Sequence, residues 1–203
     1  MGAVRKLVDR ALAIPIVYQG WQAFHDREKL EYVASRIAPG PGLKVLELGC
    51  GPGTNAHLFT GCDYLGIDIN PGYVAKAQRL FPRHRFVTAD VLAYDFASTS
   101  YDWVVVNSFL HHIDDQQVEA IFASIARIRA ARVLILELVL PPQPSVARLL
   151  ARLDRGEFAR PIEAWRALLP KGFGVREETP VRIRRGGVQL YELIGFVLEP
   201  PHA

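Results

Sequence analysis

Short apolar runs alternate along this chain with stretches whose apolar residues recur at helical spacing. Val4, Leu7, Val8, Ala11 and Leu12 fall on one helical face, with Arg5, Lys6, Asp9 and Arg10 between them. Glu28 to Ile37 reads as a second helix, stopped by the turn-rich Pro39-Gly-Pro-Gly42. Apolar runs then predict strands over Lys44 to Leu48, Tyr64 to Ile67, Arg85 to Thr88, Trp103 to Asn107 and Arg132 to Leu138. Helical stretches separate them, among them Pro71 to Leu80, with Asn70 as cap and proline in first position, and about Asp115 to Ala130. Such alternation predicts an α/β fold, with a mostly parallel sheet, helices on both faces and ligands at the C-terminal ends of the strands. After Pro141-Pro-Gln-Pro144 the rhythm changes. Val146 to Leu153 and Pro161 to Leu169 read as short helices, and runs over Val175 to Arg184 and Val188 to Leu198 flank Arg185-Gly-Gly187 as a closing antiparallel hairpin. The sheet then has seven strands.

A chain of 203 residues suits one α/β domain, here 1–203, with a helical N-terminal cap over 1–38 and an insertion over 141–171. The formal net charge of +3 is small and dispersed, and no basic stripe of the kind nucleic-acid binders carry is present. Cys50 and Cys62 make no disulfide framework, which points to a reducing, cytoplasmic setting. Charges within the first helix argue against a signal h-region there. The uncharged stretch from Ala11 to Phe24 is shorter than the ~20 residues a membrane span needs.

The candidate chemistry starts at Glu47-Leu-Gly-Cys-Gly-Pro-Gly53. The first strand stops at Gly49, Gly51 and Gly53, where a backbone without Cβ can turn sharply and approach a ligand. A strand, a glycine turn and a following helix form a nucleotide-type corner. The second strand ends in Asp68, an acid placed to accept both hydroxyls of a ribose. The spacing is G-x-G-x-G rather than the dinucleotide G-x-G-x-x-G, and Glu47 beside it repels a pyrophosphate but suits an ammonium and a sulfonium. This run resembles motif I of the class I S-adenosylmethionine (SAM)-dependent methyltransferases, and the element order resembles that family over nearly the whole chain. The resemblance implies a Rossmann-like fold, S-adenosylmethionine as cofactor and S-adenosylhomocysteine as product. It implies that Glu47, Gly49, Cys50, Gly51 and Gly53 hold the methionine end, Asp68 and Ile69 the ribose side, and Asp90 and Val91 the adenine, while Asn107 orients the donor.

The run Leu110-His-His-Ile113 resembles the segment that follows the fourth strand in small-molecule methyltransferases. Methyl transfer needs positioning, and a hydroxyl acceptor also needs a base, so His111 and His112 are the catalytic candidates. Each can equally cap the next helix or pack beneath it. The insertion should define the acceptor. Arg155 and Arg160 can bind an anionic group in fork geometry or pair with Asp154 or Glu157. Glu137, a polar end to an apolar run, is a further acceptor-side candidate, and so is Tyr18 if the N-terminal segment is a lid with Tyr18, Trp21 or Phe24 facing the ligand rather than a helix that only caps the domain. The expected partner is a small molecule, apolar or lipid-linked, with no nucleic acid, no metal and no transmembrane segment. A non-catalytic SAM-binding domain and an NAD-dependent oxidoreductase are the alternatives.

Overall fold

The computed structural model describes residues 27–96, 99–154 and 157–200. Seven strands form one sheet: β1 (Lys44–Leu48), β2 (Asp63–Asp68), β3 (Arg85–Thr88), β4 (Ser100–Asn107), β5 (Arg129–Leu138), β6 (Gly174–Arg185) and β7 (Val188–Glu199). Their spatial order is β3-β2-β1-β4-β5-β7-β6. β1 to β5 are parallel, and β7 runs antiparallel to both β5 and β6. The chain starts in the middle, winds outward to β3 and crosses back to β4. The β1/β4 boundary is therefore the switch point, where the loops at the strand ends diverge and leave a crevice. Pro180 is tolerated because β6 is an edge strand.

Helices α1 (27–37), α2 (Pro71–Leu80) and α4 (Val146–Leu153) cover one face, and α3 (Asp115–Arg127) and α5 (Ile162–Leu168) the other. Alternation along the strands feeds both layers. Val45 and Val105 join the α1/α2 core, while Leu46, Leu48 and Val106 join the α3/α5 core. As the sequence led us to expect, the Asn70 side chain accepts from Gly72 N and Tyr73 N, with Pro71 opening α2. Asp114 and Gln117 form a reciprocal capping box on α3. In α1, Tyr32 lies where a side chain on Gly195 would be: a Cβ there would stand 2.3 Å from its ring.

Three expectations change. β4 and β5 start earlier than their apolar runs, because Ser100 pairs with Arg129 and Tyr101 with Ala130. Backbone pairing extends past the buried residues, and α3 ends correspondingly early. The helix expected after the glycine turn is a single 3-10 turn, Ala56–Phe59, since β2 already begins at Asp63. Tyr18, Trp21, Phe24 and Arg155 lie outside the described residues. Among those described, no helix is long and apolar enough to cross a membrane.

Candidate active site

Each glycine of the loop has a positive φ: 71° at Gly49, 53° at Gly51 and 85° at Gly53. Gly49 and Cys50 both donate their N–H to Ile67 O, at 2.8 and 3.0 Å, which pins the turn to the end of β2. Gly51 N donates to Asp68 Oδ2 at 2.8 Å, and Asn70 N donates to Asp68 Oδ1 at 2.8 Å. A Cβ on Gly49 would stand 2.6 Å from Phe109 Cγ, so that ring rests directly on the loop. A Cβ on Gly51 would meet nothing within 4 Å.

Glu47 is 1% exposed and belongs by alternation to the α1/α2 face. Its carboxylate accepts from Asn55 Nδ2 and the Tyr64 hydroxyl. Tyr64 reaches it because the register sets Glu47 against Gly66, where a Cβ would stand 2.9 Å from the Tyr64 oxygen. Asn107 Nδ2 donates to Asn55 Oδ1 at 3.1 Å, and the Ser108 hydroxyl to Asn107 Oδ1 at 3.1 Å. A polar chain thus runs beneath the loop from β1 to β4. Asn55 and Tyr64 escaped sequence reasoning. Asn55 reads as turn punctuation and Tyr64 as one more apolar strand position, and no spacing marks either. Burial drives the Glu47 carboxyl up to about 7, against the opposing bonds from Tyr64 and Asn55.

At the next strand ends, Ala89 N donates to Asp68 O at 3.1 Å, so the tips of β2 and β3 adjoin. Asp90 is exposed and accepts from Leu92 N at 2.9 Å, which caps its own turn, while Val91 is buried. Ile69 and Leu92 are large apolar side chains left open beside these tips, Ile69 at 71% exposure.

The acceptor side needs corrections. Glu137 does not face outward: it is fully buried, and Oε1 accepts from Phe109 N and Leu110 N at 2.8 and 2.6 Å. Its Oε2 accepts from His111 Nδ1 at 2.8 Å. Alternation sends Glu137 to the α3/α5 face, behind the loop after β4. Arg160 is also buried and occupied. Its Nη1 donates to Leu110 O and Phe158 O, its Nη2 to Ile113 O at 2.7 Å, and its ion pair is with Asp115 at 2.7 Å. It staples the loop rather than presenting a fork to an anion. His111 is buried, and His112, whose ring is tilted against it at 4.2 Å between centroids, is exposed.

Residues 45–131 match the model of a methyltransferase domain. The chain is 30% identical over 191 residues to the ubiquinone biosynthesis O-methyltransferase of Xanthomonas campestris pv. campestris, covering 85% of this chain and 73% of that one. The chain belongs to the class I SAM-dependent methyltransferase family. Its cofactor is S-adenosylmethionine. It is also 30% identical over 140 residues to the sterol 24-C-methyltransferase ERG6B of Gibberella zeae, covering 58% of this chain and 36% of that protein. It spans under half the length of the first curated relatives it matches. The N-methyltransferase NodS of Bradyrhizobium japonicum WM9, solved with S-adenosylhomocysteine, has the same fold, with a TM-score of 0.72 at 16% identity over 97% of this chain and 98% of that one.

The residues present fit this methyltransferase cofactor. Gly51 faces open space, the Asp68 oxygens keep lone pairs beyond their two backbone bonds, and Ile69 offers an apolar surface for a flat ring. Glu47 has a cost that can be measured. Its carboxyl titrates higher in the folded chain than the usual 4.5, so its contribution to stability is full below about pH 4.5 and lost as pH rises through about 7. Glu47→Gln should therefore raise thermal stability at pH 8, on the order of 2–3 kcal/mol, and leave it unchanged at pH 4. It should also weaken binding of the cationic cofactor. Melting curves at the two pH values, with and without S-adenosylmethionine, test both halves.

Proposed function

We propose that this chain transfers the methyl group of S-adenosylmethionine to an apolar or lipid-linked small molecule. The observation that carries the reading is the convergence of the glycine loop, Asp68 and Asp90 at three adjoining positions on the C-terminal edge of the sheet, with the loop running into a 3-10 turn. That short turn lacks the helix N-terminus on which a dinucleotide site places its pyrophosphate. It speaks against the oxidoreductase alternative.

Bound S-adenosylmethionine supplies an electrophilic methyl on a sulfonium that leaves without acid help. The rest of the work is positioning. In this reading Glu47, through Asn55 and Asn107, sets the charge beneath the methionine end, with Gly49, Cys50 and Gly53 shaping the loop. Asp68 receives the ribose hydroxyls, and Asp90 with Val91 receives the adenine edge, against Ile69. His112, the exposed member of the pair, is the candidate base in this reading. Relatives named for sterol and ubiquinone chemistry support an apolar acceptor, as do Val146, Leu149 and Phe158, large apolar side chains exposed on the segment after β5.

Calorimetric titration of S-adenosylhomocysteine and of NADH into the protein tests the cofactor side. Micromolar binding of the first alone is expected, and preference for NADH would sink the reading. On the acceptor side, hydroxylated small molecules with and without a long apolar tail form the first panel. With an accepted hydroxyl substrate, His112→Ala should lower kcat about 100-fold with S-adenosylhomocysteine affinity unchanged. An unaltered kcat would assign the proton transfer elsewhere.

A further inference from the structure

Four backbone groups of the loop after β4 are held by two side chains from distant elements. Glu137 of β5 takes the N–H groups of Phe109 and Leu110. Arg160, beyond α4, takes the carbonyls of Leu110 and Ile113, and Phe158 N donates to His111 O at 3.0 Å. His111 sits at the centre. Nδ1 donates to Glu137 Oε2 at 2.8 Å, and Nε2 faces Asp154 Oδ1 at 3.5 Å, where Asp154 ends α4.

A general base needs one bare ring nitrogen aimed at the substrate. Both His111 nitrogens point at carboxylates, and both are donors only in the imidazolium. We propose that His111 is a positioning residue, an imidazolium clamp that ties the acceptor-side segment 141–171 to the loop resting on Gly49. The link runs from Asp154 through the ring to Glu137, from Glu137 to Phe109 N, and from the Phe109 ring to the glycine turn. The inference rests on the cofactor reading above and deepens it, since it makes acceptor-side order and donor-side order one event.

The charged and titratable groups facing the ring are Glu137 from β5, Asp154 from the end of α4, the tilted ring of His112, and the Arg160 guanidinium on neighbouring carbonyls. Burial pushes the imidazole down, but the two carboxylates outweigh it and lift it from 6.5 to about 9. A histidine raised in this way contributes stability that is full below about pH 6.5 and lost as pH rises through about 9.

Nitrogen NMR of 15N-histidine-labelled full-length protein, without cofactor, reads the ring directly. Protons on both nitrogens at pH 7.5 are expected, with a midpoint near 9. Glu137→Gln should lower that midpoint by at least about one unit. Asp154→Asn, at a partly exposed helix end, should lower it by less and serves if the first variant fails to fold. Exchange of the Phe109 and Leu110 amides should rise, and S-adenosylhomocysteine affinity fall several-fold, across the same midpoint. A neutral ring at pH 7.5 with one bare nitrogen would overturn the clamp alone. A charged ring in a protein that binds no S-adenosylhomocysteine at any pH would overturn the cofactor reading, and with it the coupling.

Discussion

Asp68→Ala is expected to weaken S-adenosylhomocysteine binding by at least about 100-fold, the equivalent of ~3 kcal/mol for two hydrogen bonds to a charged acceptor. The same substitution releases Gly51 N and Asn70 N, which now converge on the two carboxylate oxygens. The loop then loses its tether to the tip of β2 as well as the carboxylate proposed to receive the ribose. Asp68 sits at the solvent-facing end of a strand and is only partly buried, so the fold should survive. Calorimetry against the unaltered protein, with a melting curve as control, decides the matter. A loss under about tenfold with intact folding would place the ribose away from this strand end.

Glu137→Ala should be the most damaging single change to stability, by about 3–5 kcal/mol. The carboxylate is fully buried and serves three donors: two backbone N–H groups and the His111 ring. Its removal strands a buried imidazolium and orphans two amides, and each orphaned donor carries its own desolvation cost. For a domain of this size the melting temperature should fall by roughly 10 °C. Thermal unfolding at pH 7.5 checks it. A loss below about 1 kcal/mol would mean that water replaces the carboxylate without strain, and the loop would not depend on it.

How far these sites could be read beforehand depended on how local they are. Gly49, Gly51 and Gly53 announce themselves because a turn with positive φ at alternate residues selects against side chains. Asp68 announces itself as an acid ending an apolar run, and Asn70-Pro71 as a cap followed by a first-turn proline. The partners of Glu47 gave no such signal. Tyr64 reads as a strand aromatic, and only the β1–β2 register, with Gly66 opposite Glu47, brings its hydroxyl to the carboxylate. Arg160 read as an anion fork or as a partner of Asp154 or Glu157, because a guanidinium bonded to three carbonyls and paired with Asp115 leaves no spacing in the chain.

Read alone, the chain established the order of the strands, the glycine turn and the acid that follows it. Each of these depends on contacts between near neighbours or on the alternation of a single strand. Folding settled which face of the sheet each acid takes. Glu47 and Glu137 both interrupt apolar runs, yet alternation and strand order send them to opposite faces of the sheet, one beneath the cofactor loop and one behind it. It also brought two acids from distant elements to His111. The charge on an imidazole is set by what lies within a few ångströms, and here that is one carboxylate from β5 and another from the end of α4.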